Sequence, residues 1–356
     1  MNLSLSIFSR PVVFLLAAAF CYSCTACDLL GIGSNDNDRD PVLPDTTSSQ
    51  FTWRVDTVGF INTFLRDVAI IDSNNIWVVG EIPERDFSAG EMFNLLRWDG
   101  EDWNREQIPF NWPTDDRTIY PDIDQIIAFK NDDILIRAGG ILVRWDGATY
   151  STDRRLRNII QENLNGMSGV IQDNMYFFGD GGSLFEYQGI GYRRVGTGTN
   201  ENLLFAAFAN DTLKFGGEHT LLQYVNGQVI PEFNPDTLPQ FQLQGRYRDV
   251  WYSGTHWWYG TSSGLYRFSP DSGYVDMGTI GTNLIGGTGD NDVVAVSSVG
   301  EVYHWNGVRL TRQNTPFGNS DLPRPRGIAV YNNKIMVVGW LADIGKGFIL
   351  TGERQN

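Results

Sequence analysis

One spacing governs this sequence. Five times a run of β-branched and aromatic residues ends and an aromatic follows eight positions later: Arg137 to Trp145, Gly179 to Tyr187, Gly216 to Tyr224, Gly260 to Phe268 and Ser297 to Trp305. The runs that precede are strand-like, as in Ile134-Leu135-Ile136, Met175-Tyr176-Phe177-Phe178 and Val293-Val294-Ala295-Val296. Two more copies carry insertions at one shared point, residues 76–80 leading to Trp98 and residues 335–339 leading to Leu350. Seven copies in residues 51–356 give about 44 residues apiece. A fixed period of that size means one supersecondary unit that buries its apolar face only by stacking on its neighbours.

Forty-odd residues is the length of a four-stranded propeller blade. Each unit supplies an inner strand (67–71, 249–252), the two strands just described, and an outer strand (103–108, 192–195). The seventh unit runs out at residues 352–356 before its fourth strand, while Phe51-Thr52-Trp53-Arg54-Val55-Asp56 stands ahead of the first inner strand with no blade of its own. The sequence therefore predicts an all-β, seven-bladed β-propeller over residues 51–356, closed by an N-terminal strand. Such closure removes the free sheet edges that invite aggregation. The wording of the repeat, WVVG at 77–80 and RWDG at 97–100, resembles bacterial photosystem-assembly-factor-like and BNR-like propellers and, more distantly, tectonin-type lectins. The resemblance covers residues 51–356 and implies a fold rather than an activity. The sialidase Asp-box is unmatched, because Ser297 to Trp305 lacks its aspartate.

Ahead of the repeats, Arg10 is the only charge before an apolar run from Val12 to Phe20, too short to span a bilayer. Cys24-Thr25-Ala26-Cys27 then resembles the lipobox of bacterial lipoproteins, which implies a signal peptide over residues 1–26 and a diacylated Cys27. Cleavage before Cys24 is the alternative. Residues 27–50 are rich in Asn, Asp, Ser, Thr and Pro and read as a flexible linker. Their acidic stretch resembles lipoprotein surface-export signals. All three cysteines fall between positions 21 and 27, so no disulfide staples the body. With 42 acidic against 27 basic residues and a net charge of −15, a nucleic-acid partner is excluded, and the membrane is expected to be met through the lipid alone.

The insertions sort onto one face. In a propeller the loops between strands two and three share a side with the connections between blades, and the extra segments 81–94, 340–347, 111–121, 231–245 and 313–325 all belong to those two classes. Long loops on a rigid scaffold carry function. On that side Arg66, Arg248 and Arg326 occupy equivalent positions just before Asp67, Asp249 and Gly327, with Asp124 read as the counterpart of Asp67. Three guanidiniums near the channel mouth suit a carboxylate, sulfate or phosphate. The alternative is a ring of Arg–Asp pairs that merely holds blades together. Trp112, Tyr120 and Trp340 are candidate stacking platforms beside Arg117.

Motifs for catalysis are weak. Gly260-Thr261-Ser262-Ser263-Gly264 matches the G-x-S-x-G nucleophile elbow, but a strand follows where that elbow needs a helix. His219, His256 and His304 sit at different repeat positions and give no metal-ligand spacing. The expectation is a monomeric, lipid-anchored cell-envelope propeller with neither cofactor nor metal, binding an envelope protein or a glycan through its long-loop face. The alternative is a glycan hydrolase or lyase using loop carboxylates such as Asp86, Asp115, Asp116 or Asp343.

Overall fold

The computed structural model describes residues 46–83, 92–111, 117–232, 243–269, 273–318 and 320–355. Seven antiparallel four-stranded sheets form the predicted blades, and Phe110–Asn111 with Thr118–Ile119 adds a small hairpin between blades one and two. The inner strands are Phe64–Asp72, Gln125–Lys130, Leu164–Ile171, Phe205–Ala209, Tyr247–Tyr252, Leu284–Gly289 and Pro323–Tyr331. They carry small residues where seven strands converge on one axis. A Cβ at Gly327, for example, would come within 2.7 Å of the Asp67 backbone of the next blade.

Second strands such as Asn174–Gly179 and Asp292–Val296 are almost wholly buried, because a blade's middle is covered on both faces by its neighbours. The apolar core is accordingly divided among the seams. Trp77, Val79 and Leu95 of blade one meet Ile134, Ile136 and Val143 of blade two, and Trp258 and Leu265 of blade five meet Val293 and Ala295 of blade six. Trp145 of the Trp-Asp-Gly tripeptide packs toward Trp77 of the preceding blade, with ring centroids 6.1 Å apart. The aspartates of those tripeptides serve their own turns: Asp99 Oδ1 accepts the N–H groups of Glu101 and Asp102, and Asp146 Oδ1 those of Ala148 and Thr149.

The ring closes as the sequence predicts. Phe51–Val58 is the fourth strand of blade seven, paired antiparallel with Lys346–Arg354 from Phe51↔Arg354 to Val58↔Gly347. Its alternate residues Phe51, Trp53 and Val55 pack into the cluster that joins blades six and seven. The Trp53 ring lies over Gly352, where a Cβ would approach within 2.6 Å. Thr47 to Gln50, at the end of the segment read as linker, are also held. The Thr47 N–H donates to the Asn306 carbonyl (3.2 Å), Ser49 Oγ meets Nδ1 of the buried His304 (2.9 Å), and the Gln355 N–H donates to the Gln50 carbonyl (2.9 Å). His304 Nε2 in turn meets Asp292 at 2.8 Å, and Arg354 pairs with the same carboxylate.

Removing residues 51–58 is expected to unfold the ring rather than trim it, since a free edge and the apolar face beneath Trp53 would be exposed together. Trp53→Ala, which leaves the backbone ladder intact, should cost about 2 kcal/mol, the lower part of the large-to-small range because Trp53 is half-buried. Thermal and urea unfolding measure both. A deletion variant with an unchanged midpoint would mean that this strand does not close the ring.

Candidate functional site at the channel mouth

Residues at the head of each inner strand, or just ahead of it, build the mouth. In four blades the strand opens with a β-bulge, the register skipping between Leu65 and Asp67, Leu164 and Gly166, Tyr247 and Asp249, and Pro325 and Gly327. The skipped residues are Arg66, Asn165, Arg248 and Arg326. In the other three blades Asp124, Leu204 and Asn283 take the same place, donating their N–H groups to Arg137, Gly216 and Val296 carbonyls at 2.9, 2.7 and 2.7 Å. A bulge re-aims a side chain. All seven of these residues line one cavity of about 480 Å³ at the mouth.

The next residue turns the other way, into the seam. Asp67 Oδ1 accepts the N–H of Val68 (2.9 Å) and its Oδ2 that of Ile126 in blade two (3.1 Å). Asp249 does the same for Val250 and for Ile285 in blade six, both at 2.8 Å. Between blades two and three the strut is Gln125, whose Oε1 accepts the Met167 N–H (2.7 Å) while its Nε2 donates to the Met167 carbonyl (3.0 Å). Gln125 is thus the counterpart of Asp67, and Asp124 is that of Arg66; the sequence reading placed Asp124 one position off because the bulge absorbs a residue. Burial pushes the Asp67 and Asp249 carboxyls up to about 7, against the backbone N–H groups that pull them down.

The arginines do not neutralise themselves on the adjacent aspartates, as a ring of Arg–Asp pairs would require. Arg66 reaches Asp122 instead (3.3 Å), and Arg248 reaches Glu218 (2.8 Å), which also takes Arg246 (2.8 Å). Arg66 Nε is buried without a hydrogen-bond partner. Arg326 has no carboxylate within ion-pairing distance among the described residues; its guanidinium lies 4.7 Å from the centroid of the Trp340 ring, which is itself edge-on to Phe64. Burial and the nearby Arg66 charge both lower the Arg326 guanidinium from its ordinary value. A fourth cation, Arg137, is sealed beneath, its Nη1 shared by Asp124 (3.2 Å) and the carbonyls of Gly139 and Leu164.

Of the residues singled out in the sequence, Arg66, Asp67, Asp124, Arg248, Asp249 and Arg326 thus come together around the mouth, with Trp340 stacked on one of them. Arg117 and Tyr120 are exposed on the connection between blades one and two and do not line the cavity. Trp112, Asp86, Asp115 and Asp116 lie outside the described residues. Asp343 is exposed and accepts the Leu322 N–H (3.2 Å). Thr261–Gly264 form an ordinary turn between two strands, with Thr261 Oγ1 accepting the Gly264 N–H. Among the described residues no group of three or more His, Cys, Asp or Glu side chains is placed to hold a metal. Asn165, Leu204, Asn283, Gln125 and Arg137 escaped the sequence reading. Only Arg137 left a signal, as the lone charge in an apolar run.

No family model and no curated protein matches the chain. Solved structures do. YCF48 bound to D1 peptide is 11% identical, with 89% of this chain and 100% of that one covered and a TM-score of 0.61. A catalytically inactive virginiamycin B lyase from Staphylococcus aureus with quinupristin is 10% identical, covering 84% and 99%, at 0.58. The extracellular domain of a protein described as a hybrid two component system from B. thetaiotaomicron is 14% identical at 0.59, covering 84% of this chain but 42% of that one. One binds a peptide and one is a lyase, so the likeness establishes the propeller and leaves function to the site.

The seam aspartates generate a pH dependence of known sign. Their folded values near 7 lie above the ordinary carboxylate value of 3.8, so the native state holds protons the unfolded chain has lost. The stability they contribute is fully present below about pH 4 and is lost as pH rises through 7. The melting temperature is expected to fall between pH 5 and pH 8. Asp249→Asn should flatten that fall while lowering the acidic plateau, because an amide NH2 cannot accept the backbone N–H that the second oxygen of the protonated acid still faces. A wild-type-like slope in the variant would show that Asp249 is already ionised throughout the range.

Proposed function

We propose that this propeller is a non-enzymatic, lipid-anchored binding protein of the cell envelope whose channel mouth takes a carboxylate-bearing segment of a protein partner. The observation that carries this reading is the bulge ring. Seven equivalent positions, one per blade, converge on one cavity and bring three guanidiniums to it in a chain of net charge −15. Arg326 faces that cavity with no carboxylate in ion-pairing distance among the described residues, and Arg66 stands near enough to repel it. An anion between the two converts a repulsion into two charge-assisted hydrogen bonds. Trp340, already against Arg326, offers a flat apolar surface beside the anion.

A peptide suits the site better than a glycan, because the mouth presents cations and amides rather than a row of exposed rings, and the structure with a bound peptide among the similar folds supports that choice. The envelope address rests on the lipobox-like Cys24–Cys27 segment, and no helix among the described residues is long and apolar enough to cross a membrane.

The test is a peptide array of envelope-protein segments probed with the propeller, each segment carried with a free and an amidated C-terminus. Binding is expected to favour acidic segments and to weaken with salt. Arg66→Ala and Arg326→Ala should each lower affinity about tenfold or more, about 1.4 kcal/mol. Ile190→Ala, in a short turn of the opposite face, should change nothing. Binding indifferent to both arginines would place the function elsewhere.

A further inference from the structure

A second cationic groove lies at the outer edge of the ring, between blades two and three, and shares no lining residue with the mouth. Its geometry follows from strand alternation. The third strand of blade two, Ile141–Trp145, pairs with the fourth, Tyr150–Asp153, so that Arg144 stands opposite Ser151. Leu142, two residues before Arg144, packs in the core shared with blade three. Arg144 therefore reaches into the same seam beyond the edge of that core, where its guanidinium lies 5.4 Å from the centroid of the Tyr187 ring. Arg155 shares that ring at 5.5 Å. The cavity around them measures about 690 Å³, and three arginines with one aspartate line it in a chain whose acids outnumber its bases 42 to 27.

These charges are unequally committed. Arg155 is bound through all three nitrogens: Nε and Nη2 bond the Asp153 carboxylate (3.1 and 2.8 Å), Nη2 also reaches the Tyr187 hydroxyl (3.3 Å), and Nη1 donates to the Ile190 carbonyl (3.1 Å). Asp153 in turn accepts the Tyr192 hydroxyl (2.9 Å), so its charge is met within the wall of the groove. Arg144 has the Tyr187 ring but no carboxylate within ion-pairing distance among the described residues. Ser151 Oγ and the Asn158 amide, which line the same groove, make no side-chain hydrogen bond to the described residues either. A guanidinium, a hydroxyl and an amide thus meet one space from two strands and a loop. One guanidinium edge already satisfies a planar carboxylate, whereas donors spread in this way fit oxygens set tetrahedrally around phosphorus or sulfur. The space is many times that of a bare ion, a water molecule taking about 30 Å³, and its walls are polar. We infer that this groove binds a phosphate or sulfate ester carried on a sugar, at a site independent of the mouth and of what the mouth takes.

The experiment titrates the full chain by calorimetry with glucose 6-phosphate and glucose 6-sulfate, and with glucose, glucuronate and inorganic phosphate as references. At least one ester is expected to bind about tenfold or more tightly than every reference, and the preferred ester separates phosphate from sulfate. Arg144→Gln should weaken that ester about tenfold or more and Ser151→Ala about threefold. Arg144→Lys, which keeps a charge beside Tyr187 but loses the planar fork, should restore part of the affinity. Ser151 is exposed, so its truncation removes a donor without loosening the seam and is read even if Arg144→Gln disturbs the fold. Arg326→Ala, which alters the mouth alone, should leave the ester's affinity unchanged. Esters that bind no better than glucuronate, or binding that survives both Arg144→Gln and Ser151→Ala, overturn the site. Inorganic phosphate binding as tightly as the esters overturns the sugar carrier, and loss of ester binding in Arg326→Ala moves the ligand to the mouth and overturns the groove.

Discussion

Everything in this molecule depends on the pairing of residues 51–58 with residues 347–354. The partners are almost three hundred positions apart, yet the entropy of closing a loop grows only with the logarithm of its length. What the closure obtains is large by comparison: the last sheet loses its open edge, and Phe51, Trp53 and Val55 complete the seam between blades six and seven. Closing the ring with the first strand, rather than the last, also brings both described ends of the chain to the short-turn face. The opposite face carries neither described end. It is the face that carries the insertions and the mouth.

The mouth follows from a second constraint, the β-bulge at the head of an inner strand, which re-aims one of two adjacent side chains away from the other. In blades one and five the first is an arginine directed to the cavity and the second an aspartate directed into the seam, where it holds backbone N–H groups of the next blade. Buried backbone donors must be satisfied, and a carboxylate that satisfies two of them repays part of the cost of its own desolvation. The ring's cohesion and its cationic lining are thus made by neighbouring letters of the same repeat.

The fold was legible because the repeat is written in spacing, and an eight-residue interval survives substitution of nearly every residue within it. Arg66, Arg248 and Arg326 were legible for the same reason, being one residue type at one repeat position. Their partners were not. Sequence adjacency suggested that Arg66 and Asp67 neutralise each other, whereas the bulge and the pleat send them apart, Arg66 to Asp122 and Asp67 to the Ile126 N–H. Asn165, Leu204 and Asn283 share the arginines' position without their charge, so no pattern of letters aligned them with the arginines. Gln125 replaces an aspartate as a strut by using its amide both ways, an equivalence visible only once the Met167 backbone stands opposite it.

The protein has other buried charges, and comparing them with the mouth shows why they are structural. Lys214 is enclosed between blades four and five, paired with Glu232, bonded to the Tyr259 hydroxyl (2.7 Å) and set over the Trp257 and Phe268 rings. Tyr259 and Tyr274 both donate to Glu232 at 2.8 Å. Burial lowers the lysine from its ordinary value, and Glu232 restores part of what burial takes. Glu186 plays the same part between blades three and four, with Arg193, Tyr176 and Tyr224. In each cluster the charge is met within the seam, and the networks pin one blade to the next. Arg326 differs in the respect that matters for binding. Its charge is neither sealed nor met by a carboxylate of the described chain, and a second guanidinium stands close by. Two like charges side by side repel each other, and an anion that arrives from outside and bonds both removes that repulsion.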